Sequence, residues 1–498
     1  MLLENLARAI EGDLGDEDEI IVTGEHEANA GPWKKLAKRN GLELRYWHAT
    51  TIEGSSNPYA VAHDVNTLLP LITENTRIVA ITACSNILGS VVDVKSVVKQ
   101  IRAKAAEKGA KKVEISVDCV AYAPHRKMDV RDWDVDYAVF SFYKVYGPHI
   151  AALYTRFSTL PNLTPLTHHF LSPLVDKISY KLMPGGPGYE LPYGVTGVLE
   201  YLLSISPISG PTSSASLKDT ASIYSDPETH TRLEATFAAI ARYEHTLVKR
   251  LLEHLTSEKL AKRGVRIVGE ETASERREPT ISFVVVNGET GSAISGKDIV
   301  KVFDAKGNMG IRYGNFFAYT LVDSLEPKVD VNDGLVRISL VHYNTIEEVD
   351  QLIEVLDEAL GPPHILPALR PFFIAGQINV KKFPLEKRLR APQQDIEDTD
   401  GHRRNRANIH AIFDVSNASD PPDNTLSTTS ETTPEIPRSR RNIRESKTGN
   451  TETVSILTMI RSTCVHPITF KDEDGPIHDI RYATSGLLVS TATPLSGD

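Results

Sequence analysis

Lys144 lies inside an aromatic, apolar run, "VFSFYKVYGPH" (139–149), flanked by Phe140, Phe142, Tyr143 and Tyr146 and followed by Gly147-Pro148. Desolvation in such surroundings lowers the pKa of an ammonium and makes the neutral amine available as a nucleophile. One chemistry needs a lysine of this kind covalently, a Schiff base with pyridoxal phosphate. It also needs a carboxylate that keeps the pyridine nitrogen of that cofactor protonated. Asp118 ends the strand-like run "KVEISVD" (112–118), 26 residues before the lysine. The plain alternative is a lysine that snorkels from a surface turn and an aspartate that opens an ordinary turn. Spacing alone leaves both open.

The elements that must position these residues alternate in type over residues 1–160. "EIIVTG" (19–24), "LELRYW" (42–47), "NTRIVAITACS" (75–85), "KVEISVD" (112–118), "DYAVFSF" (136–142) and "AALYTR" (151–156) read as strands. "GPWKKLAKRNG" (31–41) and "VKSVVKQIRAKAAEKG" (94–109) read as helices between them. The alternation predicts βαβ units and a mostly parallel sheet. Ligands of such sheets bind at the carboxyl ends of strands. Ser85-Asn86, Asp118 and the Lys144 loop all follow strands. Residues 226–257 predict one long helix, with Leu233, Phe237, Ile240, Tyr243, Leu247 and Leu251 on one face. Strands "GVRIVG", "TISFVVV" and "LVRISLV" and helices "SGKDIVKVFDAKG" and "IEEVDQLIEVLDEALG" then suggest a smaller α/β domain.

The chain has 498 residues, 41% hydrophobic and 24% charged, enough for two or three globular domains. Its net charge of −10 argues against a nucleic-acid binder that works through bulk positive charge. Cys84, Cys119 and Cys464 show no metal or disulfide spacing, so a reducing, cytoplasmic setting is expected. The N-terminal residues do not read as a signal peptide, and no apolar run reaches the length of a membrane span. Residues 363–498 are rich in Ser, Thr, Asn, Pro, Asp and Arg and predict a disordered polar tail.

The segment "SVDCVAYAPHRKMDVRDWDVDYAVFSFYKVYGPHIAALY" (116–154) resembles the lysine region of the class V aminotransferases, in their cysteine desulfurase-like branch. Asp118, Pro124, His125, Asp129, Ser141, Lys144, Tyr146, Gly147 and Pro148 carry that resemblance in order. "EHEANAGPW" (25–33) is similar to the family's motif whose histidine, here His26, stacks on the cofactor ring. "ACSNILGSVVDV" (83–94) resembles the turn whose asparagine, Asn86, lies beside cofactor and substrate. "RISLVHYNTIEEVDQL" (337–352) resembles the strand-turn-helix whose arginine, Arg337, grips the substrate carboxylate, and "GIRYGNFF" (310–317) the loop with a second arginine, Arg312. Taken singly, both arginines read equally well as surface ion-pair partners.

The resemblance implies the fold-type I architecture. It comprises a mostly parallel, seven-stranded-type large-domain sheet with its N-terminal part missing (1–225), an interdomain helix (226–259) and a small C-terminal domain (260–362). It implies pyridoxal phosphate held by His26, Asn86, Asp118, Ser141, Tyr143 and Lys144. It also implies an amino acid substrate held by Asn86, Arg312 and Arg337, and a homodimer.

Several positions depart from the family pattern. The nucleophilic cysteine of the desulfurases falls at Phe317, the histidine before the lysine at Tyr143, a glutamine that bonds the cofactor's phenolic oxygen at Ala121, and a phosphate-reaching threonine at Gly186. The phosphate turn expected just before "LLENLARAI" is absent. A transamination, racemisation or elimination is therefore expected ahead of desulfuration. The alternatives are a truncated relative without activity and a desulfurase that uses another cysteine, such as Cys84.

Overall fold

Isoleucine and valine fill β1 (Glu19–Thr23), and all five of its residues are buried, as suits a strand covered on both faces. A computed structural model describes residues 1–170, 181–183, 185–186, 188–210 and 226–361, with the backbone of 468–470 and 478–480. β2 (Glu43–Trp47) pairs parallel to β1. The short β3 (Thr50–Thr51) and β4 (Val61–Ala62) pair with each other. β5 (Thr76–Thr82), β6 (Glu114–Asp118), β7 (Tyr137–Ser141) and β8 (Ala151–Thr155) complete a sheet of order β2-β1-β5-β6-β7-β8. It is parallel except for β8, which returns antiparallel to β7. Six strands thus stand where the resemblance implies a seven-stranded type.

Successive side chains of a strand face opposite sides, and the two sides have separate cores. Ile20, Val22, Ile78 and Ala80 pack on α1 (Leu2–Ile10) and α2 (Glu27–Asn40) through Leu6, Ile10, Trp33 and Leu36. Ile21, Val79, Ile81, Ile115 and Val117 pack on α4 (Val94–Lys108), which follows the short α3 (Val65–Leu68). α2 begins four residues before the predicted start at Gly31-Pro32. The His26 side chain accepts the Ala28 N–H and caps the helix at Glu27, so Pro32 lies in the second turn rather than at the start.

α5 (Glu190–Gly194) and α6 (Thr196–Ser204) lead to the long α7 (Pro227–Leu255), capped by Asp226, and to α8 (Glu258–Arg263). A second sheet is antiparallel. It contains β9 (Val265–Val268), β10 (Thr280–Val285), β11 (Arg312–Gly314) and β12 (Leu335–Ser339) in the order β11-β12-β10-β9. α9 (Gly296–Lys306), α10 (Tyr319–Ser324) and α11 (Ile346–Leu360) complete this part. Ile281, Phe283 and Ile338 pack against Leu247, Leu251, Phe303 and Leu356 from α7, α9 and α11.

Both sheets belong to one compact unit, Met1–His364 with Glu452–Asp498. The second unit, Ile365–Thr451, lies outside the described residues. So does the tail expected over 363–498, apart from two three-residue strands, Ile468–Phe470 and His478–Ile480, which pair antiparallel. No helix among the described residues is long and apolar enough to cross a membrane.

The turn after β5 docks on the second sheet. Ser282 Oγ donates to Ile87 O at 2.7 Å, Glu278 N to Gly89 O at 2.8 Å, and Val91 N to Arg276 O at 2.7 Å. Gly89 has φ +67°, and a Cβ there would lie 2.2 Å from Thr280 O. Gly89→Ala is therefore expected to cost about 2 kcal/mol or more in thermal unfolding. An unchanged unfolding midpoint would show that the turn does not need this approach.

Candidate active site

Four parallel strand ends meet at one edge of the large sheet. β1 leads into Glu25 and His26, β5 into Ser85 and Asn86, β6 ends at Asp118, and β7 leads into Lys144. Asp118 is buried, and its Oδ1 accepts the Val120 N–H at 2.9 Å. Burial raises the pKa of this carboxyl, while that N–H and the nearby Lys144 ammonium draw it back down.

Lys144 lies in the connection between β7 and β8. This turn is held by Phe142 O, which accepts from Val145 N at 2.8 Å and Gly147 N at 2.9 Å. Among the described residues the lysine amine has no hydrogen-bond or ion-pair partner. Burial lowers its pKa, Asp118 raises it and Arg337 lowers it again. The result is a half-buried amine whose neutral form burial favours, as a base requires.

His26 faces the same edge. Its Nδ1 accepts the Ala28 N–H at 3.1 Å, which leaves Nε2 to carry the proton of the neutral ring. Burial, Lys144 and Arg337 all depress its pKa, so the ring is available as a neutral flat surface. Phe317 lies beside it, with ring centroids 5.7 Å apart.

Arg337, on β12, reaches in from the second sheet. Its guanidinium lies 3.9 Å over the Phe316 ring and donates through Nη1 to Asn86 O at 3.1 Å. Burial lowers its pKa to about 10. No carboxylate among the described residues pairs with it, so its remaining donors are uncommitted. Asn86 Nδ2 in turn donates to Phe316 O at 3.0 Å. Phe316 and Phe317 adopt φ of +50° and +61°, a costly region for aromatic side chains. Hydrogen bonds from Asn86 Nδ2 to Phe316 O and from Glu27 N to Phe317 O hold them there.

His26, Asn86, Asp118, Lys144 and Arg337 are thus brought together by contact or by mutual electrostatic influence. The other expected residues are placed less directly. Arg312 stands opposite Arg337 in register, so both side chains leave the same face, yet Arg312 is exposed and its Nη1 donates to Ile311 O. The Ser141 hydroxyl has no partner among the described residues. Tyr143 is 49% exposed and stacks on His149, with ring centroids 5.3 Å apart. Gly186 borders open space. Cys84 is fully buried, its Sγ lies 3.6 Å from Ser85 O, and burial pushes its thiol well above the ordinary range. That environment disfavours the thiolate a desulfurase needs.

Sequence reasoning missed Phe316, which orients Arg337, and Glu25, which lies buried behind His26. Glu25 had no signal of its own beyond its place beside His26 in the motif "EHEANAGPW". Phe316 had none beyond its place in an aromatic pair.

The residues fit pyridoxal phosphate at its ring. An unpartnered amine suits the aldehyde, and the Asp118 carboxylate suits the ring nitrogen. Asn86 Oδ1, buried without a partner, needs a donor that a bound group can supply.

The sequence profile of the family described as aminotransferase class-V matches residues 2–184 and 219–352. The chain is 35% identical over 364 residues to "Aminotransferase-like protein FGM3" of Gibberella zeae, covering 72% of this chain and 76% of that one. It is 29% identical over 361 residues to "Cysteine desulfurase-like protein ustD" of Aspergillus flavus, covering 72% and 71%. Its fold is similar to that of an apo cysteine desulfurase from Thermococcus onnurineus NA1, with a TM-score of 0.52 and 22% identity over 72% of this chain and 76% of that one. With the strand-end lysine and aspartate in place, these likenesses show that the chain belongs to the class V aminotransferase family, whose members are pyridoxal-phosphate-dependent and share the fold-type I architecture.

Proposed function

We propose that this chain is an enzyme that acts on the amino group of an amino acid, with Lys144 as the residue that holds the cofactor. The observation that carries this reading is the unpartnered, half-buried Lys144 amine, under the influence of both the Asp118 carboxylate and the Arg337 guanidinium. When bound, pyridoxal phosphate supplies a carbonyl for the substrate amine and a sink for the electrons of Cα.

Asp118 would hold the ring nitrogen and keep it protonated. His26 would lie on the ring, and Asn86, Ser141 and Tyr143 would bind the substituents. Arg337 binds the substrate carboxylate through its free donors, aided by Arg312 across the strand pair. Lys144 moves the proton at substrate Cα, a task suited to an amine whose pKa burial has lowered. Transamination, racemisation and elimination all begin with that proton. Phe317 stands where sulfur transfer needs a nucleophile, and an aromatic ring cannot take up sulfur.

A homodimer is part of this reading. Tyr189, Tyr193, Phe317 and Tyr343 are each more than half exposed, which is costly for aromatic surface left in water.

The test is a titration of the purified chain with pyridoxal phosphate, followed by visible absorbance and by sedimentation. A saturable absorbance change in a dimeric species is expected. Further shifts with some amino acids, and no sulfide from cysteine, should follow. A monomer that leaves the cofactor spectrum unchanged at saturation would refute the proposal, and sulfide release would refute its reaction class.

A further inference from the structure

Behind His26 lies a second group of polar side chains that the reaction does not use. Glu25 follows β1, is fully buried, and has no lysine or arginine partner among the described residues. Its Oε2 accepts from Ser85 Oγ at 2.9 Å. Ser85 Oγ also accepts from Ile87 N at 3.2 Å and Leu88 N at 2.9 Å, so it ties the turn that carries Asn86. Glu25 Oε1 has no hydrogen-bond partner. It faces His63 Nδ1, also unpartnered and buried, at 3.6 Å.

The tautomer of His63 decides what lies between them. The Trp47 backbone favours a proton on the imidazole and Nδ1 has no hydrogen-bond partner, which the tautomer with its proton on Nε2 satisfies. Nδ1 then presents a lone pair to Oε1. Two facing lone pairs repel, and 3.6 Å is just beyond hydrogen-bond length. One proton on Glu25 turns this repulsion into a hydrogen bond. It also removes a buried charge that no cation offsets.

We propose that Glu25 is a positioning residue of the site: a neutral acid that donates to His63 Nδ1 and accepts from Ser85, so that it fixes the Asn86 turn and leaves Asp118 as the anion beside Lys144. This rests on the reading of Lys144 and Asp118 as the pair that holds the cofactor. Burial raises the Glu25 pKa to about 8, with Asp118 adding to the rise, and lowers that of His63 to about 4. The groups that face the pair are Asp118 at the end of β6, Ser85 and Cys84 after β5, and His48 after β2.

The linkage has a definite sign. Relative to the unfolded chain, the folded chain holds an extra proton on Glu25 between pH 4.5 and about 8, and lacks one on His63 between about 4 and 6.5. The two cancel where the ranges overlap. Above about pH 6.5 the Glu25 proton dominates, and the folding equilibrium constant falls through this pair by about tenfold in all up to about pH 8.

Glu25→Gln imitates the neutral acid, since its amide accepts from Ser85 and donates to His63. The cofactor-free wild type is expected to show an infrared carbonyl band of a protonated carboxylic acid at about pH 6 that disappears through about pH 8 and is missing from Glu25→Gln. The variant should match the wild type in stability near pH 6.5 and lack its loss, about tenfold in equilibrium constant, between there and about pH 8. In the cofactor-loaded proteins, the absorbance of the bound group should step near pH 8 in the wild type and not in Glu25→Gln. A wild type without the infrared band, which needs no variant to fold, overturns the neutral acid. Matching absorbance titrations overturn its action on the site. Failure of the wild type to load the cofactor would instead refute the reading of Lys144 and leave the infrared result standing.

Discussion

Lys144→Ala is expected to lose turnover of any amino acid substrate by at least about 10³-fold, since it removes both the attachment point and the base that serves Cα. Stability should move the other way or not at all. The amine is half-buried and has no partner among the described residues, so the folded chain gains little from it and bears its desolvation. The turn that carries it is held by hydrogen bonds between the backbones of Phe142, Val145 and Gly147. Thermal unfolding should therefore shift by about 1 kcal/mol or less. A large loss of activity with an intact unfolding transition is the pattern of a functional residue that costs its host stability. Loss of activity together with a collapse of the unfolding midpoint would mean that Lys144 acts through the fold.

Arg337→Ala is expected to raise KM for the amino acid by about 30- to 1,000-fold, equivalent to roughly 2–4 kcal/mol of lost carboxylate binding. The guanidinium is fixed before substrate arrives, by its stack on Phe316 and its bond to Asn86 O. Little entropy is then lost when a carboxylate binds. Cofactor affinity should stay within a few-fold, because Arg337 contacts neither Lys144 nor Asp118 by hydrogen bond. Arg337→Lys should recover only a small part of the loss, since an ammonium offers neither the planar stack nor two parallel donors. Steady-state kinetics with matched cofactor titrations separate the effects. A fall in kcat at unchanged KM would remove Arg337 from the carboxylate and give it a role in the chemistry.

The strand-end geometry was legible because local signals agree there. The apolar, β-rich runs read to Ser85, Asp118 and Phe142 end in the structure at Thr82, Asp118 and Ser141, and the residues that can do chemistry lie at or just after those ends. The meeting of Asn86 with Arg337, 251 positions apart, was legible only through resemblance, since no local pattern links a turn after one sheet to a strand of another. Other features depended on tertiary contacts. Glu25 and His63 read as ordinary polar residues until the sheet buries them face to face. Tyr146 was expected from its motif, but not its link to His342 at 3.1 Å or the bond of His342 to Tyr201 at 2.6 Å. These bonds connect the Lys144 turn to the residues after β12. The start of α2 was misplaced because a histidine cap is a weak sequence signal beside Gly31-Pro32.

The most direct measurement is borohydride reduction of the cofactor-loaded chain, followed by peptide mapping by mass spectrometry. The mass of the reduced cofactor should appear on the peptide containing Lys144, and no such label should form in Lys144→Ala. A label on a different lysine, or no label at saturating cofactor, would contradict the assignment of Lys144 and with it the proposed reaction.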